Sequence, residues 1–385
     1  MNKVNLNAIP DAEQSPLKST KTTLSSNFIH LVSKCSTKIT FYKCAKNYNQ
    51  SQMLWRFAMK LGLETESYHL FFQQGVMDIF DFIAKTSELG LDGVEINIIP
   101  DVGLHPEFGV LNSISPEYLS KVRKAIDSHG LYCEIDTRFT TCEAITRAVE
   151  IASALGADVI RTYMFRRGEY NPLKYPEIVA QLKSLTSLLS RKKIKLAIEN
   201  HEDETADEII EVIKSVNSEW VGAHCDIGNG MMAWEEPVET VRKLAPYAYS
   251  THFKDHIVTR NGEDLVVCGV PVGEGSIDID TCFKTLVNES SLTRINIETC
   301  FPYASPFARP KGTGGVYSLE GTFSVKEAPF EHLKIKPLDY YYPAKISDSV
   351  LQELMAAQNR CVEVSVQTLK NLRKNIVNKL KRILL

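Results

Sequence analysis

The sequence predicts an α/β protein, a (β/α)8 barrel with a disordered N-terminal tail and a long C-terminal insertion and helix. Three observations carry this. From residue 60, strand-like runs alternate with helical patterns, eight of each, as eight strand–helix units require. Gly90, Gly130 and Gly156 each follow a helical pattern and precede a strand, where a residue free to turn left-handed ends a helix. Acidic or imidazole groups close the last four strands, the place where a barrel of this kind assembles a site.

Residues 1–58 differ from the rest. They hold seven Lys and Arg56 against only Asp11 and Glu13, for a net charge of +6, in a Ser-, Thr- and Asn-rich context. Such a segment lacks the apolar surface to offset ordering entropy and is expected to be a poorly ordered basic tail. The functional chain is then expected to begin at Met59, leaving 59–385 as one catalytic domain. Deletion of the tail should leave activity intact.

Strands are expected near 60–67, 93–98, 131–136, 158–163, 194–200, 220–226, 249–255 and 294–299. The run Lys193–Ile198, closed by Glu199-Asn200-His201, shows the pattern: a buried parallel strand whose C-terminal end turns polar. Helices are expected over 78–89, from Ser115-Pro116-Glu117 onward, and over 144–155, 176–189, 205–216, 238–244, 279–286 and 351–372. Pro116 suits a first helical turn. Thr205 and Glu208 form a capping box. From Pro302 to about Ser347 an insertion with six Pro and five Tyr is expected to run as an extended cover after strand eight.

Composition excludes several classes. Net charge is −3, so neither nucleic acid nor an anionic membrane is a natural partner. No apolar run nears the roughly 20 residues of a membrane span. Nine Cys, an odd number without a C-x-x-C pair, indicate reduced thiols and a cytoplasmic location. No glycine-rich dinucleotide or P-loop motif is present.

Strand five ends in Glu199, strand six in Asp226, strand seven carries His252, and strand eight ends in Glu298. A buried carboxylate is costly without a cation or hydrogen bonds, so three of them with an imidazole at one mouth suggest a shared ion. Oxygen and imidazole donors without thiolates suit one divalent metal, Mn2+, Mg2+ or Co2+. Taken alone, a strand end such as Glu199-Asn200-His201 reads first as an ordinary salt-bridged terminus.

Six stretches, GLDGVEI (90–96), AIENHED (197–203), CDIGN (225–229), THFKD (251–255), VGEGSIDID (272–280) and INIET (295–299), resemble the xylose-isomerase-like TIM-barrel family of sugar isomerases and epimerases. The resemblance runs from about 60 to 300 and implies the same (β/α)8 TIM barrel. It also implies that Glu199, Asp226, His252 and Glu298 bind the metal, and that Glu199 and Glu298 are the catalytic acid/base pair working through a metal-held enediolate on a small carbohydrate. Asn229 stands where several of the family's epimerases carry a substrate-binding His. That departure leaves the substrate open and tilts toward an alternative within the superfamily, decarboxylation of a 3-oxo sugar acid, as in 3-oxo-isoapionate decarboxylases. An inosose-type dehydratase and a non-catalytic sugar-binding barrel are lesser alternatives. Apurinic endonucleases share the barrel but use more His ligands than this chain offers.

Substrate-binding candidates are His201, Asn229, Lys254, Arg161, Glu95 and Arg260. A loop-capping role for His201 and a salt bridge at the barrel mouth for Glu95 are equal readings, and for Arg260 surface pairing is the plainer one. Asp255 is expected to orient His252 or Lys254. The Gly273-Glu274-Gly275 loop is expected either to close over the site or to be a simple turn. Tyr68 and His69 are placed in the pocket wall, and Trp234 either at the mouth or in the core. A homo-oligomer is compatible with the sequence, which does not specify it.

Overall fold

The structure, a computed structural model, describes residues 59–166, 168–329 and 346–384, with side chains to residue 378. The expected tail, 1–58, and residues 330–345 of the insertion lie outside it. Eight parallel strands close into a barrel: β1 (Lys60–Glu64), β2 (Gly93–Asn97), β3 (Tyr132–Asp136), β4 (Val159–Thr162), β5 (Lys195–Glu199), β6 (Val221–Asp226), β7 (Ala248–Phe253) and β10 (Arg294–Ile297). Closure is made by β1 on β10, with Leu61 opposite Ile295 and Leu63 opposite Ile297. These strands are buried on both faces, which is why they read as near-continuous apolar runs.

The helices are α1 (His69–Gln73), α2 (Ile79–Glu88), α3 (Pro116–Ser128), α4 (Cys142–Leu155), α5 (Tyr175–Lys192), α6 (Ala206–Val216), α7 (Pro237–Leu244), α8 (Ile279–Glu289) and α9 (Asp348–Leu384). Local chemistry fixes their ends. Ser115 accepts from Tyr118 N–H ahead of Pro116 at the start of α3. Thr205 N–H donates to Glu208 Oε2 at 2.8 Å, closing the capping box that anchors the β5–α6 loop. Gly156 takes φ 70 at the end of α4, the left-handed turn expected there. Helix α9 extends further at both ends than the predicted 351–372. Its buried stripe Leu351, Leu354, Met355, Val362, Val366 and Leu369 follows helical spacing.

The chain departs from a plain barrel after β7. Where a loop was expected, β8 (Asp255–Asn261) and β9 (Asp264–Val270) form an antiparallel hairpin, and β11 (Ala304–Pro306) of the insertion adds beside β9. The two-residue turn Gly262-Glu263, with Gly262 at φ 67, joins the hairpin strands. The insertion also packs Phe307 and Phe323 on Trp234, at ring separations of 4.0 and 5.7 Å. Among the described residues, no helix is long and apolar enough to cross a membrane.

Candidate metal centre

His252 projects from β7 into the barrel and is fully buried. Its Nδ1 faces three carboxylates: Glu298 Oε2 at 3.1 Å, Glu199 Oε1 at 3.3 Å and Asp226 Oδ2 at 3.8 Å. Strand register brings them together. Asp226 is opposite His252 across β6 and β7, and Asn296 is opposite His252 across β7 and β10, which puts Glu298 on the same side one step higher. Glu199 ends β5, next to β6.

The far side of the ring is also engaged. His252 Nε2 lies 3.2 Å from Glu95 Oε2, which accepts from Asn296 Nδ2 at 2.6 Å. Glu95 thus sits on the opposite face of the imidazole from the cluster, outside the cavity lining. His224 packs edge-on to His252, with centroids 4.1 Å apart, and its Nε2 is 3.7 Å from Glu199 Oε1.

Two cations reach the cluster. Arg161, on β4, donates one terminal nitrogen to Asp136 and the other to Glu199. Lys254 Nζ lies 2.7 Å from Asp226 Oδ2, is paired with Glu298 Oε2, and is 3.3 Å from Asn229 Oδ1. Burial opposes charge on Glu199, but Arg161 and the neighbouring His252 hold its carboxyl well below the usual range. Glu298 is likewise held low against burial, by the charges of His252 and Lys254. Burial pushes Asp226 up to about 7 despite Lys254, and pushes Glu66 at the mouth up to about 8.

The donor set fits a divalent cation. Three carboxylate oxygens and one imidazole nitrogen of different strands converge in a buried place. Asp226 Oδ2, His252 Nδ1 and Glu298 Oε2 make no well-formed hydrogen bond there. The two oxygens have Lys254 as a charge partner but no directed donor, and a bound cation would satisfy them as well. Ligand atoms of Glu199, Asp226 and His252 lie within 4.8 Å of one another.

Above the cluster a cavity of about 310 Å3 opens at the C-terminal end of the barrel. Of the expected substrate-binding residues, His201, Asn229, Lys254 and Arg161 line it. His201 stacks on Tyr163, with centroids 3.9 Å apart and planes at 12°, so it is a fixed wall. Both terminal nitrogens of Arg161 are already committed to carboxylates. Arg260 is corrected: it lies near the tip of the β8–β9 hairpin, exposed and outside the lining.

Other expectations are also corrected. Tyr68 and His69 are buried away from the cavity, because α9 docks on them through Asn359 and Gln358. Trp234, by contrast, takes the second of its two expected places, the core, beneath the insertion, its indole N–H donating to Arg309 O. Asp255 contacts neither His252 nor Lys254 by hydrogen bond. Its carboxylate instead accepts from the N–H groups of His256, Gly273, Gly275 and Ile277 at 2.9 to 3.2 Å. The loop that it pins is absent from the cavity lining.

Sequence reasoning missed Asp136, Arg138, Tyr163, Cys300 and Tyr303, which also line the cavity. Asp136 carried a signal, since strand three ends LYCEID in the same manner as strand five. Cys300 and Tyr303 join the lining from the turn after β10.

A closed parallel barrel with an acidic and imidazole cluster at its C-terminal mouth defines the class of sugar isomerase and epimerase-like barrels. The family model of the xylose isomerase-like TIM barrel matches residues 83–303, and this chain belongs to that family. A 3-oxo-isoapionate decarboxylase of Pectobacterium atrosepticum is 26% identical over 200 residues, 51% of this chain and 72% of the relative. An L-ribulose-5-phosphate 3-epimerase, UlaE of Escherichia coli, is 28% identical over 150 residues, 37% of this chain and 50% of that protein. Among solved structures, a D-psicose 3-epimerase in the presence of D-fructose superposes with TM-score 0.51 at 15% identity, covering 80% of this chain and all (100%) of that chain. The IOLI protein with a bound zinc atom gives TM-score 0.50 at 16% identity, covering 63% and 90%. At these identities the structural likeness speaks to the fold.

Proposed function

We propose that this chain is a divalent-metal-dependent isomerase or epimerase of a small sugar or sugar derivative. The observation that carries the reading is the convergence of three carboxylates on His252 Nδ1 beneath a polar cavity. Glu199, Asp226, His252 and Glu298 would hold the ion. Bound there, Mn2+, Mg2+ or Co2+ supplies Lewis-acid polarisation of a carbonyl and its neighbouring hydroxyl.

The chain's own groups do the proton work. Glu298 lines the cavity and is held ionised, so it is placed to take the proton from a hydroxyl-bearing carbon. Glu199 lies below the floor, held ionised by Arg161, and is the second member of the pair. Glu298 removes the proton; inversion of the centre then needs a proton that Glu199 takes up from solvent and delivers to the opposite face. Return at the adjacent carbon isomerises instead. Asn229, Lys254 and the His201–Tyr163 wall orient the hydroxyls.

Decarboxylation of a 3-oxo sugar acid is a second reading. It is supported by the decarboxylase relative and by exposed Arg166 at the cavity rim. One experiment separates the readings. The metal-loaded protein is incubated in D2O with ketoses and with oxo sugar acids and followed by NMR. Deuterium at carbon in a recovered isomer supports the first reading, and Glu298→Gln or Glu199→Gln should slow that exchange by roughly 100-fold or more. Release of CO2 supports the second. A metal-loaded protein that binds sugars without exchange or CO2 release would contradict both.

A further inference from the structure

Of the two cations at this centre, Lys254 is the one that sits on two of the expected metal-ligand carboxylates. The residue is 2% exposed, and its ammonium lies 2.7 Å from Asp226 Oδ2 and is paired with Glu298 Oε2. Those are two of the three oxygens that face His252 Nδ1. Neither oxygen makes any well-formed hydrogen bond among the described residues, so the lysine meets them by charge rather than by directed donation. A divalent ion bound by the same two oxygens would stand beside the ammonium. Two cations at that range in a buried place repel strongly.

We infer that Lys254 is an internal stand-in for the metal: it neutralises Asp226 and Glu298 in the metal-free protein, and the ion displaces it. This rests on the metal reading above. The physical need is plain, since a metal-free cluster of Glu199, Asp226 and Glu298 would otherwise leave buried carboxylates unpaired. Arg161 serves only Glu199 and Asp136. Displaced, the lysine has somewhere to go. Its Nζ is already 3.3 Å from Asn229 Oδ1 and 3.5 Å from Cys300 Sγ, and all three residues line the cavity. Metal loading then delivers a positive charge to the substrate side of the site. Lys254 is therefore a positioning residue for the loaded state and a competitor of the metal in the empty one.

Two measurements test this without using turnover. The first is Mn2+ affinity, by titration calorimetry, of wild type and Lys254→Met. Loss of the competing ammonium should tighten Mn2+ binding tenfold or more and lower the melting temperature of the metal-free variant below that of wild type. Equal or weaker Mn2+ binding by the variant overturns the inference. The second needs no variant. Wild-type protein is treated briefly with an amine-reactive ester, with and without Mn2+, and modification of Lys254 is read by mass spectrometry. Mn2+ should raise it several-fold; no change or a decrease overturns the inference. If neither protein binds Mn2+, Mg2+ or Co2+ at all, the metal reading itself has failed, an outcome distinct from equal binding by both.

Discussion

His252 Nε2 lies 3.2 Å from Glu95 Oε2, on the opposite side of the ring from the nitrogen that faces Glu199, Asp226 and Glu298. A carboxylate behind an imidazole fixes the ring's orientation and raises its basicity as a ligand. Glu95→Gln should therefore weaken divalent-metal affinity by roughly 10- to 100-fold while leaving the fold intact. Mn2+ titration, with circular dichroism as the folding check, measures this.

The loop Gly273–Ile277 depends on Asp255 for its backbone hydrogen bonds. A Cβ added at Gly275 would lie 2.0 Å from Asp255 Oδ1, so the carboxylate or the loop must move. Gly275→Ala should cost about 1–3 kcal/mol, as overpacking of a tight site does. Urea denaturation of the two proteins gives the difference.

His69 is buried against Gln358 of α9, and burial lowers its pKa from the ordinary 6.5 to about 4. The folded state thus resists protonation. Its contribution is complete above pH 6.5 and is lost as pH falls from there toward 4. Between pH 7.5 and pH 5, wild type should lose about 2 kcal/mol more stability than His69→Gln, which has no imidazole to protonate. Denaturant midpoints at the two pH values check it, and an equal loss in both proteins would contradict it.

Much of the barrel was legible because its strands are short apolar runs that turn polar where they leave the core. Glu199 and Asp226 could be read this way, since each stands at the end of a largely apolar run. The β8–β9 hairpin is also written in the sequence, as Asn261-Gly262 between two runs rich in Val and Ile, but the barrel rhythm calls for no strand there and predicts a loop. Tyr68 and His69 could not be placed, since what they face is decided by α9, almost 300 residues away in sequence. Arg161 reads locally as a free cation on a strand. Only the register of β3, β4 and β5 brings Asp136 and Glu199 to it from either side.

Saturable binding of a divalent ion is the measurement closest to the central claim. The metal-stripped protein is titrated with Mn2+, beside Asp226→Asn and His252→Ala. One ion per chain in wild type, with binding weakened by at least about 100-fold in both variants, is the outcome expected when a carboxylate or imidazole ligand is removed from a shared centre. No saturable binding by wild type, or binding that both variants retain unchanged, would contradict the account.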